Sequence, residues 1–260
     1  MFQIPVEIIK LKPEVLFYIW DFPITSTFTT NILTTLTVVI LCFWASSFSV
    51  LKPSKLQLWI EMLVTGLIDF VSQLSESREV AKKIVPIVLS LVGFILISNL
   101  ILSLIPFAGA ITYQGKGLFR ASTSDVNFTL PLAFCVVSLS QMLFIKRKNI
   151  LGYLFKFLPL DVVLHKFRKG LLSGFSSIID IFIGFLDIIG EFAKIVSLSL
   201  RLFGNMFAGE LLLKVFMSLF AIFLPVPIIL LGSLSGLIQA VVFGALAASY
   251  LKSSIQSEDN

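Results

Sequence analysis

Apolar blocks of twenty or more residues, separated by short loops that hold most of the lysines and arginines, constrain this chain more than any other feature. A bilayer core about 30 Å thick takes roughly 20 residues of helix to cross. Backbone groups in lipid must hydrogen-bond one another, which leaves helices or a closed barrel. The blocks lack the period-two alternation of barrel strands, so helices are expected. Hydrophobic residues make up 57% of the 260 residues and charged residues 13%, with a mean hydropathy of +1.00. The 26 phenylalanines read as lipid-facing and packing bulk rather than as a cofactor site.

Residues 1–24 form an outer N-terminal segment that ends in Asp21, Phe22 and Pro23. Spans are expected over 25–50, 84–106 (carrying Pro86 and Asn99), 126–145 and 227–251. The block 56–77 differs in kind. Gln57, Glu61, Thr65, Asp69, Ser72 and Glu76 recur at three- and four-residue spacing opposite Trp59, Met62, Leu63, Phe70 and Leu74. That pattern suits a helix lying in the membrane interface. From Leu171 to Phe223 there is no proline, and Pro225 and Pro227 close the run. Some 50 helical residues would extend about 75 Å, against a core of about 30 Å. Either the helix over 171–224 is strongly tilted or it breaks near Gly204 or Gly209; polar residues along its whole length favour tilt. The expected fold class is an all-α polytopic membrane protein, one membrane domain over 1–260. It has about five membrane-inserted helices and one amphipathic interfacial helix.

The net charge of +5 does not point to nucleic acid, because the basic residues sit in short loops and report topology. Two precede the first span, five lie between the first two spans, two in 107–125 and seven in 146–169. The alternation predicts an N-terminus outside, a C-terminus inside and the interfacial helix on the inner surface. Cys42 and Cys135 lie in separate apolar blocks without CxxC or His spacing and read as buried, inert thiols. No cleavable signal is evident, and His165 reads as a solvated loop residue. No phosphate-binding loop, metal-ligand cluster or catalytic triad is found, so no cofactor is expected.

Arg201 dominates the functional reading. A charge at membrane depth costs several kcal/mol and usually faces a partner or a water path, about a few kcal/mol on insertion scales. A guanidinium stays protonated, so it steers protons without taking one. With Arg201 at zero and about 100° per residue, Lys194 falls near 20°, Asp187 and Asn205 near 40°, Asp180 near 60° and Glu191 near 80°. Glu210 falls near about 180°. Asp187 lies toward the inner end and Glu210 toward the outer end. Two carboxylate sets with a fixed cation between them would give two half-paths that do not meet. A proton would then pass Arg201 only on a moving carboxylate of a partner.

The bland alternatives are specific. Arg201 could pair with Asp187 or Glu191 to hold helices, and Asp187, Glu191 and Lys194 have ordinary charge-pair spacing. Gln239 reads either as a helix–helix hydrogen bond or as a partner of Arg201 or its water. Gly232, Gly236, Gly244 and Ala248 recur at multiples of four and read as close-packing positions. Asp125 and Asn127 read either as helix-start caps or as an entrance lining. A secondary transporter that binds an anion at Arg201 is the runner-up function. Such transporters show internal repeats, and none is found here.

The run SLSLRLFGNMFAGELLL, from Ser197 to Leu213, resembles the signature of subunit a of F-type ATP synthases. FPITSTFTTNILTTL resembles that family's first span, ASTSDVNFTLPLAF the polar entry to its third, and GLIQAVVFGALAASYL its last helix. The resemblance implies a bacterial or chloroplast-like stator subunit that conducts protons beside the rotating c-ring, without catalysis of its own. It implies peripheral-stalk b subunits as further partners and a bacterial inner membrane as the location. H+ versus Na+ stays open. By position it implies that Arg201 is the essential arginine, Asn205 its neighbour, Glu210 the outer acid, Gln239 the last-helix glutamine and Asp187 the inner acid. Asp125 matches a polar residue at the outer entrance, and Glu191, grouped with the ion-path residues, has no counterpart. Some members carry a His or Glu beside the outer acid where this chain has Gly232.

Overall fold

A computed structural model describes residues 15–20, 22–48, 53–75, 78–104, 112–113, 116–157, 171–219 and 225–256. Six α-helices carry nearly all of them: α1 (Ser26–Ser46), α2 (Lys55–Ser75), α3 (Arg78–Leu104), α4 (Val126–Phe157), α5 (Leu171–Leu219) and α6 (Pro225–Gln256). Four of these are long and apolar enough to cross a membrane, with the qualifying stretches Ser26–Ser46, Val80–Leu100, Val126–Lys146 and Val226–Ile255. The chain is an all-α polytopic membrane protein.

Two short hairpins were not expected. β1 (Val15–Ile19) pairs antiparallel with β2 (Phe22–Thr25), ahead of the first span, and Trp20 holds a φ of 50° at the turn. β3 (Thr112–Tyr113) pairs with β4 (Lys116–Gly117) between α3 and α4. Both lie outside the helices, where backbone groups lack helical partners and a strand pair satisfies them.

Several boundaries move. α3 starts at Arg78, ahead of the span expected from 84, and runs through Pro86 near its beginning. A proline there removes one backbone donor without ending the helix. α4 continues past 145 into the basic segment as far as Phe157. α6 begins at Pro225, a residue type suited to the first helical turn because that turn needs no backbone donor. α5 is a single helix of 49 residues, unbroken at Gly204 and Gly209. Its length of about 74 Å exceeds a bilayer core more than twofold, so it fits only at a steep tilt.

α3 and α6 make the most extensive pair, and α5 packs against both α4 and α6. Their shared core holds Ile84, Val88, Val92 and Ile95 of α3, Ala133 and Val136 of α4, Leu198 and Leu202 of α5, and Ala240, Phe243 and Ala247 of α6. Small residues on α6 permit the close approach. A methyl group on Gly244 would collide with Val92, and one on Gly236 would sit 3.1 Å from the Asn99 Cβ. A methyl group on Gly232 would meet nothing within 4 Å, so that glycine does not serve close packing among the described residues.

α1 stands at the edge and buries hydroxyls rather than apolar bulk. Its buried residues are Ser26, Thr27, Thr30 and Thr34. The hydroxyls of Thr30 and Thr34 donate back to carbonyls four residues earlier, at 3.1 and 2.9 Å, which keeps them satisfied at membrane depth. The expectation of buried thiols does not hold: Cys42 and Cys135 are free and exposed on α1 and α4. They lie on outer helix faces, where a thiol behaves as a small hydrophobe.

Candidate functional site

Arg201 is exposed in mid-helix on α5, while Leu198, Ser199 and Leu202 on the adjoining face are buried. The apolar face fixes this orientation, because α5 docks through Leu198 and Leu202 and turns Arg201 outward. Among the described residues no acid pairs with Arg201. The alternative of a structural pair with Asp187 or Glu191 therefore fails, since Glu191 binds Lys194 at 2.9 Å instead.

Asn205, one turn further on, donates to Gln239 Oε1 at 2.6 Å. Gln239 is buried on α6, and this bond ties α5 to α6 beside Arg201. Of the two readings for Gln239, the helix–helix bond is the one formed.

Toward the C-terminal end of α5, Glu210 is the centre of a buried polar cluster. Its Oε2 accepts from Arg120 Nε at 3.2 Å and from Ser124 Oγ at 2.7 Å. Its Oε1 accepts from Lys214 Nζ at 2.7 Å. Glu210 thus has partners, supplied by the segment before α4 and by α5 itself. In the sequence Arg120 counts only as a loop charge, and Ser124 and Lys214 carry no assigned role. Lys214 was readable as an i+4 neighbour of Glu210. Arg120 was not, because 90 residues separate it from Glu210.

The surrounding hydroxyls and amides make this end of the helix bundle polar. Thr123 Oγ1 donates to Asn99 Oδ1 at 2.7 Å, and Asn99 Nδ2 donates to the Gly236 carbonyl at 3.2 Å. The Arg120 backbone N–H donates to Thr30 Oγ1 at 3.2 Å. The buried atoms Asn31 Oδ1, Ser98 Oγ, Ser122 Oγ and Arg120 Nη2 have no hydrogen-bond partner among the described residues. Unpaired polar atoms at this depth are costly unless water or an ion meets them.

Asp125 sits at the edge of the same cluster. Its Oδ1 accepts from the Asn127 N–H at 2.9 Å, and its Oδ2 accepts from Thr27 Oγ1 at 3.0 Å. It caps the start of α4 and ties that helix to α1. Both carboxylate oxygens are thereby engaged.

On the N-terminal side of Arg201 along α5, Asp187, Gly190, Glu191 and Lys194 line a cleft of about 320 Å³ with Phe144 of α4 and Ser253 and Ser254 of α6. Asp187 is exposed, and the Lys194 ammonium lies 5.4 Å from the centre of the Tyr250 ring as well as against Glu191. Ser140 and Ser254 exchange a hydrogen bond of 2.5 Å behind the cleft. The side chain of Asp180 lies outside the described residues. Along the helix axis, Glu210 is about 14 Å from Arg201 and Asp187 about 21 Å in the other direction. Arg201 thus lies exposed between the Glu210 cluster on one side along α5 and the Asp187 cleft on the other. Among the described residues no group of His, Cys, Asp and Glu is arranged to hold a metal.

A family profile described as "ATP synthase A chain" matches residues 27–252, which takes in Asp125, Asp187, Arg201, Glu210 and Gln239. The chain belongs to the ATP synthase A chain family. It is similar to ATP synthase subunit a 2 of Picosynechococcus sp., with 29% identity over 96% of this chain and 99% of the relative. It is also similar to the chloroplastic ATP synthase subunit a of Oedogonium cardiacum, with 32% identity over 84% of this chain and 78% of the relative. ATP synthase subunit a of Geotalea daltonii is 31% identical over 78% of this chain and 76% of the relative. The ATP synthase A chain is a membrane-sector component of the F-type enzyme, assembled with other subunits of that complex. The resemblance read from the Arg201 motif is borne out.

Proposed function

We propose that this chain conducts protons through the membrane sector of the ATP synthase by two offset half-paths. The supporting observation is Arg201, exposed and unpaired by any described acid, between a polar cluster on its C-terminal side along α5 and an open cleft on its N-terminal side. An arginine facing lipid would be expensive, so its exposed face calls for a protein partner that brings carboxylates. The c-ring is that partner. A ring carboxylate loses its proton beside the guanidinium and regains one away from it.

In this reading Glu210 exchanges protons with the outside through the Arg120, Ser124 and Asn99 cluster. Asp187 exchanges with the inside through the cleft, and Glu191 and Lys194 shape its wall. Asn205 and Gln239 hold α5 and α6 in register at Arg201, and Asp125 fixes the outer entrance rather than carrying protons. The chain performs no chemistry on nucleotide. Peripheral-stalk b subunits hold it still against the ring. Its N-terminus lies outside and its C-terminus in the cytoplasm of a bacterial cell, as the loop charges indicate.

Arg201→Ala tests the central residue. Ion-driven ATP synthesis should fall by at least about 100-fold, the scale on which a fixed electrostatic group is lost. The complex should still assemble, because Arg201 is exposed and outside the hydrophobic core. Synthesis near the parent rate in an assembled complex would refute the assignment.

A further inference from the structure

The two oxygens of Glu210 are not held alike. Oε2 is fixed by two groups set deep in the fold, the Arg120 guanidinium, whose side chain is 9% exposed, and the Ser124 hydroxyl. Oε1 is held by Lys214 alone, at 2.7 Å, and the Lys214 side chain is 47% exposed. Arg120 is tied in place through its backbone bond to Thr30, whereas Lys214 projects from α5 on a flexible stem that can extend to the surface. The carboxylate is thus clamped between one immobile cation and one that can leave.

We propose that Lys214 is a positioning residue for proton entry: it holds Glu210 Oε1 and moves off to admit the incoming proton to that oxygen. The inference rests on the reading of Glu210 as the outer acid. In the step, a proton from outer water forms an O–H bond at Oε1. Lys214 keeps its three protons and carries its charge toward the surface. When Glu210 passes the proton on, the carboxylate is again an anion and Lys214 returns. Oε2 stays bound to Arg120 and Ser124 throughout, so Glu210 remains aimed while its protonation changes.

Other charges do not offer the same device. Among the described residues Arg120 and Lys214 are the cations at Glu210, and Asp125 is the nearby acid, engaged with Thr27 and the Asn127 N–H. α1 carries no charged residue. Those of α3 (Arg78, Glu79, Lys82 and Lys83) and of α6 (Lys252) stand at the opposite ends of their helices. α4 has its basic residues beyond Ile145.

The test uses the intact ATP synthase in vesicles, with pH varied on the outer side and held on the inner. Proton flux and ATP synthesis are recorded for the parent, Lys214→Gln, Lys214→Arg and Glu210→Gln. Removing one cation should move the midpoint of the outer-pH dependence of Lys214→Gln about one unit toward alkaline pH. Lys214→Arg should bring it back to the parent value. Lys214→Met, apolar and of similar length, substitutes if the glutamine variant does not assemble. An unchanged midpoint in the uncharged variants, or an equal shift in Lys214→Arg, overturns the inference. Glu210→Gln separates the two levels: if it keeps the parent's outer-pH dependence, the reading of Glu210 fails first. If it abolishes that dependence while the uncharged Lys214 variants leave the midpoint in place, only the role of Lys214 falls.

Discussion

At the scale of single residues, the polar groups divide by whether their bonds are complete. Asp125 uses both oxygens, one on the α4 cap and one on Thr27. Asp125→Ala should lower stability by about 1–2 kcal/mol, the range for a lost cap. Asp125→Asn, which keeps an acceptor, should retain most of it. Loss of assembled complex on a detergent or temperature ramp checks this, and equal loss in both variants would contradict the cap. Arg201 is the opposite case, with its charge turned outward and no described acid beside it. The motif around Arg201 made that residue readable from sequence. The distant partners of Asp125 and Glu210 were not readable, because they lie 98, 90 and 86 residues away and no local periodicity reports such contacts. Cys42 and Cys135 misled for a related reason: an apolar block shows depth in the membrane but not which helix face meets protein.

At the scale of elements, each apolar block became a helix because lipid leaves the backbone few other choices. The long proline-free run became one helix for the same reason, with Pro225 opening the next. The ends drifted where helix formers continue past the apolar block, as in α3 and α4, and the two hairpins carry too few residues to leave a pattern. Close packing of α3 on α6 depends on Gly244, where a side chain would run into Val92. Gly244→Leu should destabilise this pair by about 1–3 kcal/mol through overpacking. The expected sign is a reduced yield of assembled complex, with Gly232→Leu, in open space within this chain, tolerated by the isolated fold. Equal yields of folded chain for the two variants would contradict the packing.

At the scale of the whole molecule, α5 carries the Glu210 cluster, the exposed Arg201 and the Asp187 cleft in series, and the other helices pack around them. α4 and α6 wall the Asp187 cleft, whereas α1, α3 and the segment before α4 contribute to the Glu210 cluster. The expected order of Asp187, Arg201 and Glu210 along one helix needed only the sequence and the pitch of an α-helix. That Glu210 is enclosed while Asp187 opens into a cleft of about 320 Å³ needed the packed fold.

The most direct measurement is proton flux through the intact complex in vesicles, with pH varied separately on each side, for Glu210→Gln and Asp187→Asn. Glu210→Gln should slow uptake and change the response to outer pH alone. Asp187→Asn should act mainly on the response to inner pH. Identical responses of both variants to pH on the two sides would contradict the two half-paths.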